Sequence, residues 1–197
     1  MRMKTFGVAH RRRREGRTDY RQRLRLLKAR KPRLVIRRSS GGVSCQVVEY
    51  RSEGDRVIAS AGPNDIKSKG WKVSTGNVPA AYLVGLACGV EARKKKVKEA
   101  VLDIGLHVST KGSRIYACLK GFSDAGITVP HSEEVLPDEE RVRGSHIEAF
   151  AAKLKAENAS MYSKQFSGYL KAKLRPEAVS KHFEETRKKL VKSKTLS

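Results

Sequence analysis

The segment 34–61, LVIRRSSGGVSCQVVEYRSEGDRVIASA, decides the fold predicted for this chain. It contains three short stretches rich in β-branched residues, 34–37, 43–49 and 56–61, separated by clusters of Ser, Gly, Glu and Asp. Loops this short join antiparallel neighbours, so the segment predicts a three-stranded antiparallel meander.

Two further strands are predicted downstream, each preceded by a helix. Asn77 can cap a helix whose first turn contains Pro79, and Ser113 can cap a second helix that ends at Asp124. The apolar run 100–105 between them is typical of a buried strand, and 127–129 predicts the last strand. The predicted fold class is α/β: a mixed sheet of the three-stranded antiparallel meander plus two strands reached by helical crossovers, covered by helices.

A basic arm and a helix precede the sheet. Residues 1–16 are predicted to be irregular, and Thr18 or Asp19 can cap a helix that Pro32 ends. An apolar stripe, expected to dock on the core, consists of Tyr20, Leu24 and Leu27. A cationic stripe beside it consists of Arg17, Arg21, Arg25 and Lys28. Stacking of Tyr20 on a nucleic-acid base is the alternative to packing.

From Pro137 onward the chain is predicted to be helical again. One helix is expected over 138–156, an irregular polar piece over 158–169, and a last helix over 176–192 that buries Val179, Phe183 and Leu190. The predicted organisation is a basic arm and helix over 1–31, an α/β core over 32–136, and a helical C-terminal extension over 137–197.

The positive charge is concentrated at the two ends of the chain. The first 38 residues contain sixteen Lys or Arg and two acidic residues, which is +14 of the total charge of +23. Residues 39–160 carry only +2, and residues 161–197 carry +7. Like charges at this density repel one another, and a polyanion relieves that repulsion by neutralisation and counterion release. The charge pattern therefore favours nucleic-acid binding.

Several other classes of protein are disfavoured. The longest apolar stretch, 78–90, is too short for a membrane span and contains glycine and proline, and no apolar stretch follows the basic N-terminus as in a secretory signal. An Arg-rich mitochondrial transit peptide over 1–14 is a weaker alternative. Cys45, Cys88 and Cys118 stand far apart, which favours buried reduced thiols in a cytosolic protein. The five histidines have no metal-ligand spacing and no phosphate-loop or catalytic motif is present, so no cofactor, metal, catalytic residue or small-molecule substrate is expected.

Trp71 lies in a predicted loop between Lys69 and Lys72. An aromatic ring between cations can stack on RNA bases, so these three residues are a candidate RNA contact. Packing of Trp71 against the edge of the sheet is the equally weighted alternative.

Several stretches carry a family resemblance. They are 11–28 (RRRREGRTDYRQRLRLLK) with 31–35 (KPRLV), 75–77 (TGN) with 81–83 (AYL), 100–106 (AVLDIGL), 124–126 (DAG) with Pro130 and His131, and 143–147 (RGSHI). In this order they closely resemble the L18 family of large-subunit ribosomal proteins, in its archaeal and eukaryotic-like form. The resemblance covers most of residues 10–150 and little of the last 40.

The resemblance implies a structural, non-enzymatic and cytoplasmic component of the large ribosomal subunit. Its partners would be 5S ribosomal RNA, large-subunit RNA of the central protuberance and neighbouring ribosomal proteins. Carried over to this chain, the expected RNA contacts are Arg11, Arg12, Arg13, Arg14, Arg17, Arg21 and Arg25. Lys28, from the same cationic stripe, and Arg33 are also expected to contact RNA.

Two other functions remain as hypotheses. The strand order is similar to that of ribonuclease H, so an RNA-processing or RNA-modifying enzyme with a basic recruitment arm is the main alternative. Glu91 and Asp103 could fill two of that family's metal-binding places, but the first strand offers no carboxylate for the third. Asp103 is therefore expected to be structural. A generic DNA-compacting protein is the third hypothesis, and it predicts no preference for folded RNA.

Overall fold

A computed structural model describes residues 7–192, so the first six residues of the predicted arm and the last five of the C-terminal extension lie outside it. Among the described residues the strands are β1 (Arg33–Arg38), β2 (Val43–Glu49), β3 (Arg56–Ala61) and β4 (Val101–Asp103). The helices are α1 (Arg11–Arg14), α2 (Tyr20–Leu27), α3 (Pro63–Ser68), α4 (Val78–Lys94), α5 (Arg114–Asp124), α6 (Glu139–Arg143), α7 (Ser145–Glu157), α8 (Ala159–Gln165), α9 (Ser167–Lys171) and α10 (Val179–Lys192). Two 3-10 turns cover Glu133–Val135 and Pro176–Ala178.

The four strands form a mixed sheet in the order β3-β2-β1-β4, which confirms the predicted α/β fold. β2 pairs antiparallel with both β1 and β3, as the short loops predicted, and the β2–β3 register shifts between Val47 and Val48. β4 lies parallel to β1, because the chain crosses over through α4 before it returns to the sheet.

The fifth predicted strand is not formed as a strand. Residues 127–129 contribute one parallel bridge, Glu99 to Thr128, and two backbone hydrogen bonds of 3.0 Å around it. Pro130 follows directly and has no N–H to donate, so the pairing cannot extend further along the sheet.

α4 lies at the centre of the core and is buried on almost every side. Its N-cap is Asn77, as predicted, whose side chain accepts a hydrogen bond of 2.9 Å from the Ala80 N–H. α5 packs closely against it. A Cβ atom on Gly85 would lie 1.9 Å from the carbonyl oxygen of Cys118, so the two helices can approach this closely only because Gly85 has no side chain.

All three cysteines are free and buried, in agreement with the sequence. They lie in β2, α4 and α5 and belong to the core between the sheet and its two covering helices.

The C-terminal extension contains more helix than predicted, divided into shorter helices. The expected helix over 138–156 is interrupted at Gly144, whose φ of 94° is the left-handed conformation that glycine adopts without strain. The segment predicted to be irregular forms α8 and α9, because Asn158 caps α8 and Phe166 is buried between the helices. The last helix, α10, is confirmed, and its residues Val179, Phe183 and Leu190 join the main core.

The segment before Trp71 also differs from its prediction as a loop. It forms α3, in which Pro63 occupies the first turn and Asp65 accepts a hydrogen bond of 2.7 Å from the Gly62 N–H. This short helix turns the chain so that Trp71 points inward. Within residues 7–192 no helix is both long and apolar enough to cross a membrane.

Candidate nucleic-acid interface

The cations of the N-terminal arm are exposed at the protein surface. Arg11–Arg14 form one helical turn in a region predicted to be irregular, and none of the four is buried. The arm is held locally: Arg12 donates a hydrogen bond of 3.0 Å to Thr18, and Glu15 lies 3.4 Å from Arg11 and 3.3 Å from Arg17. Exposed ion pairs of this kind contribute less than about 1 kcal/mol to stability, so they do not prevent the arm from binding another anion more strongly.

α2 presents a second group of cations. The predicted cap is confirmed, because Asp19 accepts hydrogen bonds of 2.9 and 3.2 Å from the N–H groups of Arg21 and Gln22. Arg21, Arg25 and Lys28 are exposed, and within residues 7–192 no side chain pairs with them. They are the helix cations that the sequence predicted to face outward.

The predicted apolar docking of α2 is wrong. No residue of α2 is buried, and Leu24, the middle member of the predicted stripe, is 60% exposed. Tyr20 is half-buried and its ring lies 5.0 Å from that of His10, a contact within the arm itself. The helix therefore needs another means of attachment to the sheet.

A chain of ion pairs supplies that attachment. One guanidinium nitrogen of Arg23 in α2, Nη2, donates to both carboxylate oxygens of Asp55, at 3.0 and 2.9 Å. Asp55 also accepts from Arg33 at 2.6 Å, and Arg33 donates to Asp103 at 2.8 Å. Arg37 completes the series by donating to Asp103 at 2.8 Å. Three arginines and two aspartates thus connect α2, the β2–β3 turn, β1 and β4.

Asp103 is held in its ionised form by this network. Burial by itself would raise the pKa of Asp103, but the hydrogen bonds and positive charges of Arg37 and Arg33 outweigh it and lower the pKa below the ordinary value of 3.8. Its carboxylate also accepts a hydrogen bond of 2.9 Å from the Gly105 N–H. Asp103 is thus a structural residue at the end of a strand, as the sequence predicted.

Arg33 must be withdrawn from the expected RNA contacts. Its side chain is 4% exposed, and its guanidinium group is used by Asp55 and Asp103. The partners lie 22 and 70 residues away in the chain, so the sequence alone gave no sign that Arg33 is enclosed.

A cleft of about 400 Å³ lies between the arm, α2 and the outer face of the sheet. Its cationic lining consists of Arg12, Arg17, Arg23, Arg33 and Arg37. Arg37 is 40% exposed and was missed by the sequence analysis. The alternation of β1 could have identified it, because Arg33 and Arg37 lie on the face opposite the buried Leu34 and Ile36. Asp19 and Asp103 also line the cleft, and Arg23, Arg33 and Arg37 pair with aspartates, so Arg12 and Arg17 are the lining arginines without an aspartate partner among residues 7–192.

The second predicted contact region is Lys69, Trp71 and Lys72, and its aromatic ring is not exposed. Trp71 is 1% exposed and its ring nitrogen donates to the Ser74 carbonyl at 3.1 Å, so it packs in the core and does not present a ring for stacking. Lys69 and Lys72 are exposed. They follow α3 at one end of β3, whereas Asp55 and the docked α2 lie at the other end. The structure therefore does not bring these lysines together with the arm.

The two carboxylates considered for a nuclease-like centre form ion pairs within the protein. Glu91 of α4 lies 3.2 Å from Lys95, which directly follows that helix, and the oxygens of Asp103 accept hydrogen bonds from two arginines. Within the described part of the chain, residues 7–192, no group of three or more His, Cys, Asp or Glu side chains is arranged to hold a metal ion.

Comparison with known proteins gives consistent results. The sequence model of the family described as "Ribosomal large subunit proteins 60S L5, and 50S L18" matches residues 4–98 and 90–132. The chain is also 50% identical over 186 residues to the large ribosomal subunit protein uL18 of Methanococcus maripaludis. That alignment covers 94% of this chain and 96% of its relative, so the similarity includes the C-terminal helices as well as the sheet.

Proposed function

We propose that this chain, which belongs to the family of ribosomal large-subunit proteins L5 and L18, binds 5S ribosomal RNA and helps attach it to the large-subunit RNA. Membership of the family makes it a structural component of the large ribosomal subunit, with ribosomal RNA and ribosomal proteins as partners, rather than an enzyme. The identity of the RNA, the residues that contact it and a cytoplasmic location are parts of the proposal.

The attachment of α2 is the observation that supports this function best. Because Arg23 forms an ion pair with Asp55, the helix is fixed to the sheet through one of its arginines. Arg21, Arg25 and Lys28 remain exposed and unpaired among residues 7–192. A surface helix that exposes its cations and buries no residue offers a row of positive charge to a polyanion, and an RNA backbone supplies phosphates in repeated order.

Binding then has two parts with different physical origins. The arm and α2 neutralise phosphates, for which arginine is well suited because its planar fork donates two parallel hydrogen bonds. These contacts read little sequence, and they fix position and orientation. The α/β core holds the helix at one angle through the ion-pair network, so selection of 5S RNA depends on the shape of the folded RNA.

Competition binding tests the proposal. Labelled 5S RNA is titrated with the whole chain, and unlabelled 5S RNA, transfer RNA or duplex DNA is added as competitor at about 50 and 200 mM salt. We expect unlabelled 5S RNA to displace the label at much lower concentration than the other two at both salt concentrations. Equal displacement by all three would contradict a 5S-specific function and favour a general polyanion binder.

A further inference from the structure

A second cationic surface lies outside the arm, beyond the loop 104–112. It is a pocket of about 230 Å³ at the start of α5, and we call it the arginine pocket after its residues Arg38, Arg114 and Arg141. They come from the end of β1, the first turn of α5 and α6. None of the three was among the RNA contacts expected from the sequence.

The charges of the arginine pocket are not neutralised by neighbouring acids. Arg38 and Arg141 are exposed, and within residues 7–192 neither side chain has an ion pair or hydrogen bond. Arg114 is fixed in place by donating to the Gly76 carbonyl at 2.9 Å, with Ser39 at 3.4 Å. Among the described residues, no Asp or Glu lines the pocket.

The first turn of α5 adds to the positive character of the pocket. It contains no acidic residue, and Ser113, at the N-cap position, makes no capping hydrogen bond with its side chain. The hydroxyl of Ser113 is enclosed and has no partner among residues 7–192. The amide groups of this turn therefore keep their capacity to donate to an anion.

Two nearby histidines respond to the same charges. Burial, together with the positive charges of Arg38 and Arg37, lowers the pKa of His107. Burial and the charge of Arg141 likewise lower the pKa of His146. His107 accepts a hydrogen bond of 3.3 Å from the Arg38 N–H. Both shifts are consistent with the positive charge of the arginine pocket.

We propose that the arginine pocket is a second binding site for RNA phosphates, used together with the arm. Arginine forks and helix amides both match the oxygens of a phosphate group. The pocket and the arm-side cleft flank the same loop, with Leu106 and His107 on one side and Val108 and Thr110 on the other. A continuous RNA backbone, with its repeated negative charges, can occupy both the pocket and the cleft. Nothing in this arrangement favours an acidic protein segment that follows the loop. The inference rests on RNA being the partner, as proposed above.

The test compares two double variants of the whole chain. Arg38→Ala with Arg141→Ala removes the two exposed arginines of the pocket. Lys94→Ala with Lys98→Ala removes the same charge from exposed positions in the nearly neutral middle of the chain. Circular dichroism and thermal melting establish that both variants fold as the parent does. Binding of labelled 5S RNA is then measured at several salt concentrations. In a second series, a labelled short RNA duplex is added to the preformed complex with unlabelled 5S RNA.

The two series distinguish the source of the phosphates. If 5S RNA itself occupies the pocket, the pocket variant loses about two units of salt slope in the first series and the control variant does not. If a second RNA occupies it, the first series is unchanged, and the parent and control bind the duplex while the pocket variant does not. The proposal is overturned if pocket and control variants behave alike in both series. It is also overturned if a polyglutamate peptide displaces the RNA from the pocket at lower concentration than the duplex does.

The same design separates failure of this inference from failure of the proposed function. A parent chain that shows no preference for 5S RNA contradicts the function. The duplex series is then run on the chain alone, and a loss specific to the pocket variant still supports the pocket as a phosphate site.

Discussion

Replacement of Asp103 by Asn should destabilise the protein far more than loss of an exposed ion pair. Asn keeps the shape of the side chain, but it has no charge and directs an N–H donor toward an arginine. Arg33, which is 4% exposed, would then keep only Asp55 as its counter-ion. Removing one partner of a buried ion pair costs about 3–5 kcal/mol, and we take the lower end, about 3 kcal/mol, because Asp55 remains.

Thermal and urea unfolding measure this difference. A loss of about 3 kcal/mol should lower the melting temperature by about 6–12 °C in a chain of this length. The matched control is Glu99→Gln, which breaks the exposed pair between Lys31 and Glu99, whose side chains are 42% and 50% exposed. That change should cost less than about 1 kcal/mol. If Asp103→Asn is as stable as the control, the ion-pair network does not support the fold as argued.

The effect should also depend on pH in one direction. Because the pKa of Asp103 is lowered in the folded state, its stabilisation is fully present above its ordinary value of 3.8. The contribution is lost as the pH falls through the still lower folded-state pKa. The difference in free energy of unfolding between the parent and Asp103→Asn should therefore be constant near neutrality and shrink below pH 3.8. A difference that grows on acidification would contradict the assignment.

Two further substitutions test the packing. Trp71→Ala should lower the free energy of unfolding in urea by about 3–5 kcal/mol, because the ring is enclosed in the core. The salt dependence of 5S RNA binding should not change. A lowered salt slope with normal stability would instead identify Trp71 as an RNA contact. Gly85→Ala should cost about 3 kcal/mol, since its Cβ would lie 1.9 Å from the Cys118 carbonyl oxygen, whereas Gly41→Ala, with nothing within 4 Å, should be nearly neutral. Equal stabilities of the two glycine variants would show that α4 and α5 are not in close contact.

The sheet and most helix starts could be predicted because their signals are local. The stretches 43–49 and 56–61 carry their turn residues beside them, and Asn77 and Asp19 cap the helices that follow directly. The helices α8 and α9 were missed, since a polar segment with Gly168 looks irregular until Phe166 is seen to be buried between neighbouring helices.

The errors at the interface have a different origin. An apolar stripe on α2 suggested hydrophobic docking, but Leu24 is exposed and Arg23 makes the contact instead. That contact depends on Asp55, which is 32 residues away, and the sequence gives no indication of such a distant partner. The same reason explains why Arg33 was placed at the surface although it is enclosed. The exposure of the cationic arm was predicted correctly, because a dense group of like charges stays at the surface whatever its distant neighbours are.

The salt dependence of 5S RNA binding by Arg21→Ala with Arg25→Ala is the most direct test of the account. Each exposed arginine that contacts a phosphate contributes about one unit to the slope of log K against log salt, so the double variant should lose about two units. The control variant Lys94→Ala with Lys98→Ala should keep the slope of the parent. Equal slopes for the parent and for Arg21→Ala with Arg25→Ala would show that α2 does not face the RNA, and would contradict the central claim that this helix is the binding surface.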